Sequence, residues 1–368
     1  MTAPRVAIVG AGMAGASLAY FLGERAQVTL IEREAYPGYH TTGRSAAFYA
    51  ETYGGPAVQP LTTASKPFFN APPAGFAAAP LLGARGAIYV ADATSLADLD
   101  AMARTYAGTG VEIESLSADR LATCLPQLCD TWRTGGLADP ACRDIDVAGL
   151  HQGFLAGARR AGAQLVTDAG VEEIERGASG WRVATTGGAF EADILVDAAG
   201  AWGDRVAALA GVAPLRLAPL RRTVVAVDVD PAPPADLPLV VAADGSFYFK
   251  PDAGRLWVSP HDETPCEPGD VQPEEYDVAL AIDRLERATT WRVRRIDRAW
   301  AGLRTFSPDR APVYGFDPGV PGFFWCVGQG GAGIQTAPAA GRMAAALLLG
   351  YPVPEGLDAG RYAPDRFR

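Results

Sequence analysis

The sequence holds almost no lysine: Lys66 and Lys250 are the only two, although lysine and arginine together number 32. Against 42 acidic residues the formal net charge is −10. So acidic a chain is a poor electrostatic match for nucleic acid, although a single pocket can still be locally basic. Histidine is scarce too, at His40, His151 and His261, and none of the three shows the H-x-x-x-H spacing of a zinc site. The five cysteines, Cys124, Cys129, Cys142, Cys266 and Cys326, are odd in number and form no C-x-x-C pair. Neither a disulfide framework nor a metal centre is expected, and a reducing cytoplasmic setting fits. No apolar run reaches the roughly 18 residues that span a bilayer, so no transmembrane segment is expected. Val6 to Val9 already read as a strand, so no cleavable leader is expected ahead of them.

What is present is a globular composition, 49% hydrophobic and 20% charged over 368 residues, enough for two domains with their own cores. The organising stretch is the start. Arg5 to Val9 is a short apolar run, followed by Gly10-Ala-Gly12-Met-Ala14-Gly15 and then by Val28-Thr-Leu-Ile-Glu32-Arg33. This reads as a buried parallel strand, a glycine turn, a helix and a second strand ending in an acid. Gly10 permits the sharp turn, Gly12 lets backbone approach a pyrophosphate, and Gly15 lets helix and strand pack closely. The helix N-terminus offers free N–H groups and a positive dipole end to the phosphates. Glu32, about twenty residues on, can accept the hydroxyls of an adenosine ribose. An acid there disfavours a 2′-phosphate, which leaves FAD or NAD rather than NADP.

Further along, Pro37, Gly38 and Gly43 predict a loop leading into a short helix, with small residues at Ser45, Ala46 and Ala47 against which a flat ring can lie. Asp146 is placed to cap a helix from Val147 to about Ala161. Val171 to Ile174 and the segments that follow read as a strand meander. Ile194 to Asp197 is another buried strand, delivering Ala198, Ala199, Gly200 and Trp202 near the dinucleotide. Residues 216–299 alternate apolar and polar in several strands, as in an antiparallel sheet. Near the end, Phe323 to Val327, Gly328-Gln-Gly330-Gly331-Ala-Gly333-Ile334-Gln335 and an alanine-rich run form a second strand, glycine turn and helix. That helix dipole can stabilise the negative charge of a reduced flavin. Nicotinamide has no such need, so the second glycine turn favours FAD.

Together these runs resemble the D-amino acid oxidase superfamily of FAD enzymes, in the branch with glycine oxidase and sarcosine oxidase, and most of all the D-arginine dehydrogenases. The runs are Pro37 to Ala47, Leu150 to Gly153, Ala198 to Trp202, Ser246 to Gly254, Trp300 to Arg304 and Gln329 to Thr336, and the likeness covers nearly the whole chain. The resemblance implies a non-covalent FAD. It also implies an α/β Rossmann-type FAD-binding domain (1–50, 147–215 and 300–368). This interleaves with an α+β substrate domain built on an antiparallel sheet (51–146 and 216–299). It places Gly10, Gly12, Ala14, Gly15, Glu32, Arg33, Arg44, Ser45, Ala46 and Val171 at the cofactor. Ala199, Gly200, Trp202, Gly302, Gly330, Gly331, Gly333 and Ile334 join them there. It gives Arg222 and Arg304 to the substrate carboxylate, with Tyr53 and Tyr248 completing the pocket and Gly331 and Gln335 lining it. Two guanidiniums suit that task, since bidentate charge-assisted bonds fix a carboxylate's orientation.

The sequence departs from the D-arginine dehydrogenases at three positions. Phe48 stands where they carry histidine, Ala50 where they carry threonine, and Ala87 where they carry the glutamate that reads a guanidinium. The expected substrate is therefore a D-amino acid with a neutral, apolar side chain, oxidised to the imino acid and released as 2-oxo acid and ammonia. The electron acceptor would be a quinone or O2. Rival readings are a secondary-amine oxidase, a flavoprotein subunit of an electron-transfer complex, and an NAD-linked reductase.

Overall fold

The computed structural model describes residues 3–178 and 180–368. The strand β1 (Arg5–Val9) is buried along nearly its whole length. Val6 and Ile8 face one core, and Ala7 and Val9 face another. That two-sided burial is why the segment is apolar without alternation. After β1 the chain enters helix α1 (Met13–Leu22) and returns in β2 (Gln27–Ile31), which pairs in parallel with β1.

These elements belong to a six-stranded sheet. Its order is Val313–Phe316, Phe323–Val327, Ile194–Asp197, β1, β2 and Gln164–Val166. Neighbours are parallel except at the Val313–Phe316 edge. One face is covered by α1, by Val147–Arg160 and by Gly333–Leu349, the other in part by a three-stranded meander of Val171–Gly177, Gly180–Thr185 and Gly188–Ala192. Asp146 caps the Val147 helix by accepting from the Gly149 amide at 2.9 Å. Ile194–Asp197 lies beside β1, as its buried run predicts.

A ten-stranded sheet forms the second layer. It is antiparallel except where Leu239–Ala242 runs parallel to Ala87–Ala91. One face packs on the helix Glu275–Ala288. The other carries Ala87, Tyr89 and Tyr248 beside Phe48 and Tyr53. Its longest ladder joins Ala218–Asp230 to Arg292–Phe306. The expected domain boundary at 300 falls inside this second strand, which runs unbroken from one region to the other.

The loop after Pro37 leads into a short helix, as expected, but only of one turn. Thr41–Arg44 makes a single 3₁₀ turn, and Phe48–Tyr49 then extends and pairs with Arg143–Asp144. Ala47 sits between them at φ 32°, a positive φ that a right-handed helix cannot include.

Candidate active site

A cavity of about 680 Å3 opens between the two sheets. Its size is that of a cofactor cleft. Gly10, with φ 101°, makes the turn after β1, and a Cβ there would lie 2.5 Å from the Ala198 carbonyl oxygen. Gly12 and Ala14 line the cavity. Gly15 does not. It lies beneath the turn, where a Cβ would stand 1.9 Å from the Gly10 carbonyl oxygen, so its part is helix–strand packing.

Glu32 is buried, and backbone amides hold its carboxylate in place. Oε2 accepts from Ala11 N and Oε1 from Glu34 N, each at 3.0 Å. Arg33 stacks over the Trp202 ring at 5.0 Å, and His40 lies against the same ring at 4.8 Å. Val171, Ala199 and Gly200 complete this end of the wall. Ser45, Ala46 and Gly302 line the middle, and Gly330, Gly331, Gly333 and Ile334 the far end, where the Gly333–Leu349 helix begins.

Arg44 borders the cavity, but its guanidinium is committed elsewhere. It donates to Asp270 and to the carbonyls of Val271 and Ala301, so it ties segments of the chain together and leaves little to offer a phosphate.

At the far end Arg222 and Arg304 come together. Arg222 stands opposite Gly302 in the strand ladder, so Arg222 and Arg304 share a face of the sheet. Arg221 turns to the other face, where it pairs with Glu274 and Asp277. Arg222 is 4% exposed; its Nε donates to the Asp262 carbonyl at 2.7 Å, and its buried Nη1 has no partner. Burial, then the neighbouring Arg304 charge, pushes its pKa down to about 10. Arg304 makes no ion pair among the described residues, and its guanidinium carbon lies 5.9 Å from the Tyr53 ring centre. A Cβ on Gly331 would fall 2.5 Å from the Tyr53 hydroxyl and 3.1 Å from Arg304 Cζ, so these three residues meet at one point. Tyr248 lines the cavity beside them.

The expected side-chain pocket is only partly as foreseen. Phe48 meets Tyr53 edge-on at 5.1 Å and Tyr248 at 6.5 Å; of these three rings Tyr248 lines the cavity, and Phe48 and Tyr53 lie behind its surface. Ala87 is not on the cavity surface; it lies buried in its strand, within the apolar cluster behind Tyr248. Gln335 is likewise no lining residue. Its amide oxygen accepts from Ala50 N, and its nitrogen donates to the carbonyl of Tyr53 and to the Thr62 hydroxyl. It pins the Ala50–Tyr53 segment instead. Glu51, two residues before Tyr53, faces away toward Thr63 and Lys66.

Residues 261–263 carry site neighbours that sequence reasoning missed. His261 Nδ1 lies 2.6 Å from the Gly245 carbonyl, its ring is edge-on to Tyr248 at 5.7 Å, and its backbone is left-handed at φ 58°. Burial, then the charges of Arg222 and Arg304, pushes its pKa down to about 3. Asp262 accepts from the Thr223 amide at 2.7 Å, and Glu263 reaches Arg222 at 3.4 Å. This turn lies some forty positions from Arg222 in the chain, and nothing in its local spacing announces the contact.

A parallel sheet with a glycine turn, facing an antiparallel sheet across a cleft that ends in two neighbouring arginines, defines a dinucleotide-dependent oxidoreductase. Residues 5–347 match the family model described as DAO, FAD dependent oxidoreductase, and the chain belongs to that family. Its cofactor is FAD, and the residues fit it: the tight Gly10–Gly12 turn lines the cavity, and Glu32 is held beside it by the Ala11 and Glu34 amides. Among relatives, the glycine oxidase of Geobacillus kaustophilus is 27% identical over 70% of this chain and 68% of its own length. Its crystal structure superposes with a TM-score of 0.83, at 25% identity and 98% coverage of each chain. The bovine FAD-dependent oxidoreductase domain-containing protein 1 is 30% identical over 43% of this chain, and that match spans only 36% of the bovine protein. The L-proline dehydrogenase of P. horikoshii, at 19% identity and a TM-score of 0.83, shares the fold.

Proposed function

We propose that this protein oxidises a D-amino acid with a neutral, apolar side chain to its imino acid, which water converts to a 2-oxo acid and ammonia. The observation that carries the reading is the pair of guanidiniums, Arg222 and Arg304, left without full compensation at the closed end of the cofactor cavity. A carboxylate placed between them relieves their mutual repulsion and accepts the free Nη1 donor. FAD, bound non-covalently, would supply the acceptor for the hydride that leaves the Cα–H bond, while nitrogen gives up a proton to water and the Cα–N bond becomes C=N. The protein's own residues do the positioning. Arg222 and Arg304 fix the carboxylate, and Tyr248 bounds the reacting end, backed by the rings of Tyr53 and Phe48.

Lack of acidic recognition supports a neutral side chain. Glu51 is taken by Thr63 and Lys66, and the buried Asp139 accepts from Thr52 at 2.6 Å. Asp144 lies between Arg85 and Lys250. The D configuration rests on the resemblance to D-arginine dehydrogenases. In this reading residues 1–50, 147–215 and 300–368 serve the cofactor and the rest the substrate, in the cytoplasm, with a quinone or O2 as final acceptor. No helix among the described residues is long and apolar enough to cross a membrane.

A second reading is a secondary amine bearing a carboxylate. Relatives named dimethylglycine dehydrogenase (mouse, 28% identical over 58% of this chain) and a structural neighbour named iminodiacetate oxidase favour it. Anaerobic mixing of the holoprotein with D-, L- and N-methyl amino acids, followed by flavin bleaching, separates the two. Bleaching by neutral D-amino acids is expected. Bleaching by N-methyl amino acids alone would establish the second reading, and bleaching by none would remove both.

A further inference from the structure

One short turn joins the dinucleotide end of the molecule to the carboxylate clamp. It is Thr41–Arg44, which lies between the N-terminus of α1 and the Arg292–Phe306 strand. The Thr42 hydroxyl accepts from the Met13 amide at 3.0 Å, and Met13 opens α1. The adjacent Thr41 hydroxyl donates to the Leu303 carbonyl at 2.7 Å. Arg44 donates to the Ala301 carbonyl at 3.1 Å, and its own carbonyl accepts from the Trp300 indole at 2.9 Å.

These bonds fall on an open strand edge. Away from its partner Ala218–Asp230, the Arg292–Phe306 strand pairs, among the described residues, at Thr305 and Phe306 with Gln329–Gly330. The carbonyls of Ala301 and Leu303 on that edge are met by side chains of the turn instead of by another strand. Arg304 follows directly. It has no ion pair among the described residues, so its aim depends on the backbone it leaves from and on the Tyr53 ring. Gly302 allows the close approach, since a Cβ there would lie 3.2 Å from the Arg44 Cβ.

We propose that Thr41 is a positioning residue for Arg304, and that the Thr41–Arg44 turn couples FAD occupancy to carboxylate binding. The proposal rests on the reading of Arg222 and Arg304 as the carboxylate clamp. FAD seated on the Gly10–Gly12 turn holds the start of α1, which holds Thr42. Thr41 is then held against Leu303. A carboxylate on Arg304 steadies the same strand from the other side. Coupling of this kind is reciprocal, so the carboxylate must in turn retain FAD.

The test uses the holoprotein and acetate, a carboxylate with no oxidisable amine. Acetate affinity is read from perturbation of the flavin spectrum, and FAD release on dilution from the rise of flavin fluorescence. In the native protein, saturating acetate slows FAD release. Thr41→Val, which keeps shape and loses the donor, binds acetate about three- to tenfold more weakly, the range for one lost hydrogen bond, and acetate no longer slows its FAD release. Thr41→Ser restores both. A purely structural bond would instead lower thermal stability and leave acetate affinity alone. Arg304→Met identifies the source of any failure. If it binds acetate as the native protein does, the clamp reading falls and the coupling with it. If Arg304→Met is weakened while Thr41→Val keeps native affinity and native FAD protection, the coupling alone is overturned. Should Thr41→Val not fold, the native protein still decides: FAD release unaffected by saturating acetate overturns the coupling.

Discussion

Arg222 and Arg304 project from paired strands onto one face of the sheet, because Arg222 stands opposite Gly302 and side chains two positions apart share a face. Arg222 is buried and Arg304 partly so, and their like charges disfavour each other more than Glu263 at 3.4 Å from Arg222 offsets. The site is thus built for its ligand at some expense to the empty protein, a common trade between stability and function.

Arg222→Met and Arg304→Met should each cost about 2–5 kcal/mol in kcat/KM, the range for truncating one member of a buried charge pair. Arg304→Met should be the worse loss, since Arg304 has no ion pair among the described residues. In the ligand-free protein Arg222→Met should melt no lower than native, because it removes a charge that burial and Arg304 disfavour. Near-native turnover in both variants, measured by steady-state kinetics, would show that the carboxylate is held elsewhere.

Among D-amino acids, D-leucine, D-methionine or D-phenylalanine should exceed D-arginine and D-lysine in kcat/KM by about tenfold or more. Each buried methylene contributes about 0.8 kcal/mol. A guanidinium meets no free carboxylate here, and a cation–π contact with Phe48 returns only about 0.5–2 kcal/mol. A native preference for the basic substrates would refute the specificity assignment.

Glu32→Lys should release FAD readily. It replaces an acceptor, held by the Ala11 and Glu34 amides, with a donor of opposite charge. FAD content of the purified variant, measured after denaturation, checks this; native occupancy would count against Glu32 as the ribose ligand.

His261 sets a pH dependence of stability. Its folded pKa is pushed from 6.5 down to about 3, by burial first and then by Arg222 and Arg304. Between those values the unfolded chain binds the proton and the folded protein does not, so stability falls as pH falls through that window. His261→Gln, which can still donate to the Gly245 carbonyl, should lose less melting temperature than native between neutral pH and about 4. Parallel melting curves would show that His261 is already charged in the folded state.

Much of the fold is legible because the signals are local. The β1 run, the Gly10–Gly12 turn and Glu32 follow one another in the chain, and one βαβ unit places them together. Arg222 and Arg304 are distant in sequence, and only family resemblance joins them there. The rest depends on contacts with no local trace. That Glu51 turns toward Lys66 is decided by the helix Gln59–Asn70, not by its neighbour Tyr53. The family resemblance makes Gln335 a lining residue, yet its buried amide is used up by Ala50, Tyr53 and Thr62. Ala87 is hidden because its face of the sheet is packed into the apolar cluster with Leu239 and Tyr248. The short helix expected in the loop after Pro37 is a single 3₁₀ turn, and its contacts with Trp300 and Leu303, far along the chain, have no local trace.

The central claim is that a carboxylate held by Arg222 and Arg304 orients an amino acid for oxidation. The most direct measurement compares the rates of anaerobic flavin reduction by D-leucine and by D-leucinamide in the native holoprotein. The two differ only in replacing the carboxylate by a neutral amide of nearly the same shape. The account predicts that the amide is slower by about a hundredfold, equivalent to the loss of one charge-assisted contact of about 3 kcal/mol. Equal rates for the two compounds would contradict it.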